Sequence, residues 1–359
     1  MTTLYITSTA PYAGKSALCV GLGKHFQRNG YSLGYMRPVA TTRTLIGECT
    51  VDQEASLMCE TLGLKEPMEW IWPVCFDGPT VEAILKGEGE KYVRRVLDAF
   101  LQISKRHDVV LLEGGSRCTQ GLAAGLSCEK IAEMVQAQVL VVAKYDVPTP
   151  IVVDDLLADK SRLGDRMIGA VLNGVEPKRL GQVQDLVVPY LENQGIPVYA
   201  VLPLDRIFLT VSIGELAEAL GGEIICRPDL ADSLVENLMI GAMSVDSALR
   251  YLHRKLNKAV ITGGDRADMQ LAAIETATRC LILTGNLQPS PMILNRAEEA
   301  GVAMILVKHD TMTTAQIAED AFGKTRFFGE AKIKRFLEML DEHFDFDKLY
   351  ETMGLQRRA

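Results

Sequence analysis

Thr7-Ser8-Thr9-Ala10-Pro11-Tyr12-Ala13-Gly14-Lys15-Ser16 decides how the first part of this chain folds. The stretch follows an apolar run, Leu4–Thr7, that reads as a strand. It opens a helical pattern, Ser16–Arg28, that stops at Asn29-Gly30. At a strand-to-helix turn of this kind, backbone N–H groups and the positive end of the helix dipole converge on phosphate groups. Lys15 is then placed to reach the β- and γ-phosphates of a nucleoside triphosphate, and the Ser16 hydroxyl to ligate magnesium. One departure from the usual pattern stands out: its leading glycine is Ser8 here.

Outward from the loop, short apolar runs alternate with longer helical patterns. Strands are expected at Leu33–Met36, Val109–Glu113, Val139–Ala143, Met167–Leu172 and Pro197–Val201, with helices at Val93–Ser104 and Val183–Asn193 among those between. Continuous apolar strands suit a parallel sheet covered on both faces, so residues 1–205 read as a doubly wound α/β domain. Two stretches interrupt the alternation, polar Thr41–Val51 and Trp70–Gly78, and both read as loops at the rim of the sheet. Glu113 ends its apolar strand before Gly114-Gly115, where a carboxylate lies beside the phosphate loop and can hold magnesium or its water. Asp52 is a second candidate ligand, or an ordinary N-cap of the helix Gln53–Leu62.

A second α/β unit, residues 206–328, is expected after a break. Its helices read as Leu209–Leu220, Val245–Leu256, Asp268–Thr278 and Pro291–Ala300, and its strands as Ala259–Ile261, Cys280–Leu283 and Ala303–Val307. The turn Thr262-Gly263-Gly264-Asp265-Arg266-Ala267-Asp268 again joins a strand to a helix. Its glycines permit close backbone approach, Asp265 can cap the helix, and Arg266 can pair with an anionic ligand or a facing subunit. A tight turn without a ligand fits the same residues. The tail, residues 329–359, places Ile333, Phe336, Leu337 and Leu340 at helical spacing, consistent with an amphipathic helix docking on a body or a neighbour.

Composition narrows the function classes. A net charge of −8 with no basic block argues against nucleic acid or a membrane surface as partner. A hydrophobic fraction of 48% is ample for a core, and 359 residues suggest two or three domains. The eight cysteines show no C-x-x-C spacing and read as reduced, buried thiols. With no signal-peptide pattern and no apolar run of about 20 residues, the expected location is the cytoplasm.

Thr7–Ser16, Tyr35-Met36-Arg37-Pro38-Val39, Asp52, Glu113-Gly114-Gly115 and Asn173 together resemble the dethiobiotin synthetase fold in order and spacing. Pro11-Tyr12-Ala13-Gly14-Lys15-Ser16-Ala17 is similar to the dethiobiotin-synthetase-like N-terminal domain of long phosphotransacetylases, and the second unit resembles the DRTGG domain that follows it there. The resemblance implies a Mg-ATP site: Thr9, Tyr12, Ala13, Gly14, Lys15, Ser16 and Ala17 around the phosphates, and Ser16, Asp52 and Glu113 around Mg2+. It also implies Asn173 as the asparagine that reads adenine, although Asn-Gly is a common turn as well. Arg37 stands where dethiobiotin synthetases carry a substrate lysine, and a planar guanidinium is no substitute for a compact ammonium. Biotin synthesis is therefore not expected, and neither is transacetylase activity of this chain by itself. The expectation is an ATP-binding, regulatory homo-oligomer that senses an unidentified small molecule through its second unit. Two alternatives stay open, an ATP-dependent ligase in which Arg37 grips an anionic substrate beside Lys15, and a structural oligomer with a vestigial nucleotide site.

Overall fold

Val109–Glu113 is buried at every position, as a strand covered on both faces must be. It lies within a six-stranded sheet in the computed structural model, which describes residues 1–40, 44–46, 49–51, 53–323, 327 and 329–356. The strands are β1 (Thr2–Ser8), β2 (Leu33–Met36), β3 (Val109–Glu113), β4 (Gln138–Lys144), β5 (Met167–Val175) and β6 (Val198–Pro203). Their spatial order is β6-β5-β4-β1-β3-β2, and every pairing is parallel. The chain leaves β1 towards one edge and returns to build the other half on the far side of β1. That reversal creates a crevice at the carboxyl end of β1, where open α/β sheets bind their ligands.

Two compact units divide the chain: Met1–Leu204 together with Phe327–Ala359, and Asp205–Arg326. The tail therefore belongs to the first unit, and it holds two helices, α2 (Glu330–His343) and α3 (Phe346–Met353). α2 packs on α1 (Lys15–Arg28), the helix that leaves the phosphate loop. A Cβ at Gly21 of α1 would stand 2.2 Å from Leu340 Cδ1, so the two helices meet at a glycine. The His25 ring stacks on Phe346 with centroids 3.7 Å apart, and Tyr199 OH lies 3.0 Å from Thr352 Oγ1. These contacts account for the apolar spacing of the tail.

The second unit carries a five-stranded sheet of β7 (Glu223–Cys226), β8 (Asn237–Ile240), β9 (Lys258–Gly263), β10 (Thr278–Thr284) and β11 (Ala303–Leu306). Their order is β7-β11-β10-β9-β8; β8 to β11 run parallel, and β7 pairs antiparallel with β11. Ser212 and Glu215 close a capping box on the helix Ile213–Leu220.

Several boundaries differ from the sequence reading. Leu209–Leu220 is not helical throughout, because Val211–Ser212 pairs with Leu234–Val235 before the capping box starts the helix. The helix expected over Asp268–Thr278 spans Ala267–Ile274, since Thr278 already pairs with Lys258 in the sheet. Val245–Leu256 ends its helix at Leu252. Val183–Asn193 begins as a π-helical stretch, Val183–Val187. Both expected rim loops contain paired strands: Val74–Cys75 beside Val39–Ala40, and Thr44–Ile46 beside Cys49–Val51. Among the described residues seven cysteines are free and buried, as expected of reduced structural thiols. No helix among them is long and apolar enough to cross a membrane.

Candidate functional site

The carboxyl end of β1 turns through Thr9–Ala13 into α1. Thr9 N–H still donates to Val142 O (3.1 Å) as the strand ends. Tyr12 takes a φ of 54° and exposes its ring, whereas Ala13 is buried. Gly14 caps α1 with φ 96° and ψ 18°, a left-handed conformation that disfavours any residue with a Cβ. No side chain caps α1 and no acidic residue occupies its first turn. Its leading N–H groups therefore face no carboxylate of their own first turn and could take an anion. Elsewhere Asp77, Ser127 and Ser212 cap their helices in the ordinary way.

Three side chains of this turn point inward. Lys15 Nζ donates to Ser8 Oγ at 3.0 Å. Burial lowers the Lys15 amine below its usual range and the Arg37 charge lowers it further, against an opposing pull from Glu113. Ser16 Oγ donates to Glu113 Oε1 at 2.7 Å, and Tyr35 OH donates to Glu113 Oε2 at 2.7 Å. Glu113 is 2% exposed, and such a carboxylate is costly to bury without partners. The two hydroxyls and the nearby ammonium offset that cost. Ala17, on the buried face of α1, completes the turn.

Asn173 lies on β5 and turns its amide to the loop. Its Nδ2 donates to Ala13 O at 2.8 Å, and a Cβ on Gly14 would stand 2.3 Å from it. Arg37 follows β2 and donates to Glu54 Oε2 at 2.5 Å. Asp52 lies outside the described residues. The site thus brings together Ser8, Lys15, Ser16, Glu113 and Asn173, with Arg37 near enough to act on Lys15 by charge. Sequence reading missed two partners, Tyr35 and Glu54. A tyrosine inside an otherwise apolar strand was the available signal for the first, because a buried phenol needs a polar partner.

Ser16 Oγ and Glu113 Oε1 offer paired oxygen donors at the head of α1, a set that suits a hard divalent cation. Among the described residues no group of three or more His, Cys, Asp or Glu could hold a metal by itself. A magnesium ion here would therefore draw further ligands from phosphate and water. A separate groove of about 650 Å³ lies at the other end of α1, lined by residues that include Lys24, Arg28, Glu330 and Lys334. Its mixed charges name no ligand.

In the second unit, Gly263 ends β9 and Gly264–Arg266 turn into the helix Ala267–Ile274. A Cβ on Gly264 would meet Leu287 O at 2.0 Å, so this glycine admits a neighbouring backbone. Arg266 is engaged with Asp268 at 3.0 Å and with Met243 O at 3.2 Å. Gln270 Nε2 donates to both Gly263 O and Gly264 O at 3.0 Å. Asp265 is exposed and does not cap the helix, whose start has no side-chain cap.

Comparison with known proteins adds the lineage. A family model described as an AAA domain matches residues 2–208, and one described as a DRTGG domain matches residues 215–321. A phosphate acetyltransferase of Nitratidesulfovibrio vulgaris is 24% identical over 372 residues, covering 96% of this chain and 51% of the relative. The ATP-dependent dethiobiotin synthetase BioD of Caldicellulosiruptor saccharolyticus is 25% identical over 142 residues, covering 39% of this chain and 57% of the relative. Among solved structures, the CBS and DRTGG domains of the regulatory region of Clostridium perfringens pyrophosphatase, complexed with its activator diadenosine tetraphosphate, align with a TM-score of 0.27. That match is 20% identical and covers 41% of this chain and 72% of the other. The chain spans about half the length of the phosphate acetyltransferases it matches. With more than half of its length inside the first of these models, the chain belongs to the AAA domain family, in a dethiobiotin-synthetase-like form followed by a DRTGG domain.

Proposed function

We propose that the first unit binds ATP with magnesium on the Ser8–Ser16 loop and that the protein is regulatory, its second unit sensing a small molecule or mediating association. The observation that carries this reading is the uncapped, left-handed start of α1 at Gly14, with Lys15 and the Ser16–Glu113 pair beside it. Backbone N–H groups would take the phosphates, and Lys15 would neutralise the outer ones. Ser16 and Glu113 would hold magnesium, which supplies charge neutralisation across the phosphates. Asn173 lies close enough to the loop for its amide to meet the nucleotide as well. The names of the relatives are compatible with this reading, because one is an ATP-dependent synthetase.

An ATP-dependent ligase is the alternative, and Arg37 would be its anion-binding group. Arg37 is 13% exposed and engaged by Glu54, so a substrate carboxylate would have to compete with a carboxylate already in place. That pairing favours binding over turnover. A vestigial site is a weaker reading, because Ser8, the departure that suggests it, bonds directly to Lys15.

Calorimetric titration of ATP, with and without magnesium, into wild type and Lys15→Ala tests the proposal. We expect binding to weaken roughly 100-fold or more in the variant, since about 2.7 kcal/mol or more is at stake for a lysine on phosphates. Equal binding by the two proteins overturns it. ADP release that rises sharply with one carboxylate or amine in a small panel would move the assignment to the ligase.

A further inference from the structure

Counted back from Gly14-Lys15-Ser16, the usual leading glycine falls at Thr9, one residue after Ser8, whose hydroxyl makes three contacts. Ser8 is fully buried at the end of β1, where its Oγ accepts a hydrogen bond from Lys15 Nζ at 3.0 Å. The same oxygen lies 2.9 Å from Ala10 O and 3.1 Å from Ser116 O. A serine hydroxyl has one proton, so it donates to one of these carbonyls at a time while its lone pairs face the lysine. Ser116 is tied in turn to Gln120 Oε1 through its N–H at 2.7 Å and its hydroxyl at 3.0 Å. It stands three residues after Glu113, which takes the Ser16 hydroxyl. One buried hydroxyl thus joins the phosphate-facing lysine, the rising limb of the loop and the segment that follows the candidate magnesium carboxylate.

A glycine at this position could do none of this. An ammonium has three donors, and one of them spent on Ser8 leaves two for phosphate oxygens while fixing the direction of the amine. A long lysine side chain otherwise loses rotamer freedom when it is immobilised on a ligand. Holding it beforehand moves that loss out of the binding step. Resting on the nucleotide-site reading above, we propose that Ser8 is a positioning residue that preorganises Lys15 for the outer phosphates of the nucleotide, through a hydroxyl anchored on Ala10 and Ser116.

The test is Mg-ATP affinity, measured by calorimetry on the full chain for wild type, Ser8→Gly, Ser8→Thr and Lys15→Ala, with thermal melts run without nucleotide. Ser8→Gly removes the hydroxyl and is expected to weaken Mg-ATP about tenfold, the scale of a hydrogen bond to a charged group. Ser8→Thr keeps the hydroxyl and is expected to retain most of the wild-type affinity, the packing cost of the added methyl appearing in the melts instead. A general effect on the fold would not be rescued by threonine and would appear in the melts. Wild-type affinity in Ser8→Gly, or equal losses in the glycine and threonine variants, overturns the role of Ser8. If Lys15→Ala binds as wild type does, the nucleotide site itself is wrong, and that outcome is distinct from either of the other two.

Discussion

Two turns in this molecule are written in nearly the same sequence grammar, and they build different local geometries. Each leaves a parallel strand, passes through glycine and a basic residue, and opens a helix: Ala13-Gly14-Lys15-Ser16 after β1, and Gly263-Gly264-Asp265-Arg266 after β9. At the first, the glycine needs its left-handed φ, and Lys15 and Ser16 turn inward to Ser8 and Glu113. At the second, neither glycine has a positive φ, and Gly264 is required by the carbonyl of Leu287. Arg266 is held by its own neighbour Asp268. Strand, glycine and cation therefore do not by themselves fix where the basic side chain goes. What separates the two turns is where the basic side chain goes and whether a buried carboxylate waits for the hydroxyl beside it.

The comparison breaks most sharply at the two glycines. Gly14→Ala forces a Cβ onto a residue at φ 96° and against the Asn173 amide at 2.3 Å. Strain of this kind costs about 1–3 kcal/mol. Because it falls on the residue that aims the first N–H groups of α1, we expect Mg-ATP affinity to drop roughly 10- to 100-fold. Gly264→Ala meets a backbone oxygen that cannot rotate away, so it should cost about 1–3 kcal/mol in chemical denaturation and leave ATP affinity unchanged. A Gly14→Ala protein that binds normally would show that the loop is not the phosphate site. Lost ATP binding in Gly264→Ala would mean that the second turn serves the first.

Much of this was legible in the sequence, for physical reasons. The parallel sheet announced itself because doubly covered strands such as Val109–Leu112 must be apolar at every position. The loop was readable because Gly14, Lys15 and Ser16 are consecutive in the chain and stand at a strand-to-helix turn. The tail was visible as a helix, but a stripe of Phe336 and Leu340 does not say which surface it meets; Gly21 on α1 answers that only in three dimensions. Tyr35 and Glu54 were missed because their partners, Glu113 and Arg37, are 78 and 17 residues away. The ends of helices such as Ala267–Ile274 were misjudged because a sheet claimed Thr278, and pairing of that sort is not local.

Two lysines, Lys15 half-buried and Lys258 buried, extend the same contrast. Lys15 has Ser8 and Glu113 near it, whereas Lys258, at the start of β9, is fully buried and its amine has no hydrogen-bond partner among the described residues. Burial pushes the Lys258 amine down to about 8. An amine depressed in the folded state binds fewer protons there than in the unfolded chain. Stability should therefore rise as pH climbs from about 8 towards the unfolded value of about 10.4. Lys258→Met should remove that rise and stabilise the protein at pH 7 by about 1–2 kcal/mol, allowing for solvent screening. Urea unfolding at pH 7 and pH 9.5 reads both effects. If Lys258→Met is destabilised at pH 7, the amine has a partner and the contrast with Lys15 fails.

The smallest effect is expected at Arg266, and it sharpens the comparison for that reason. Arg266 and Asp268 form an exposed pair two residues apart on one turn, where solvent screens the attraction and ordering two side chains offsets the gain. Arg266→Ala should leave the melting temperature unchanged at physiological salt. It should equally leave Mg-ATP affinity unchanged, whereas Lys15→Ala should weaken it roughly 100-fold or more. A change in oligomer size on light scattering, or loss of a small molecule that co-purifies with wild type, would instead give Arg266 the outward role its sequence context suggests. Either result would convert the second turn from a packing solution into a site, and the present geometry, with the guanidinium already turned onto Asp268 and Met243, predicts neither.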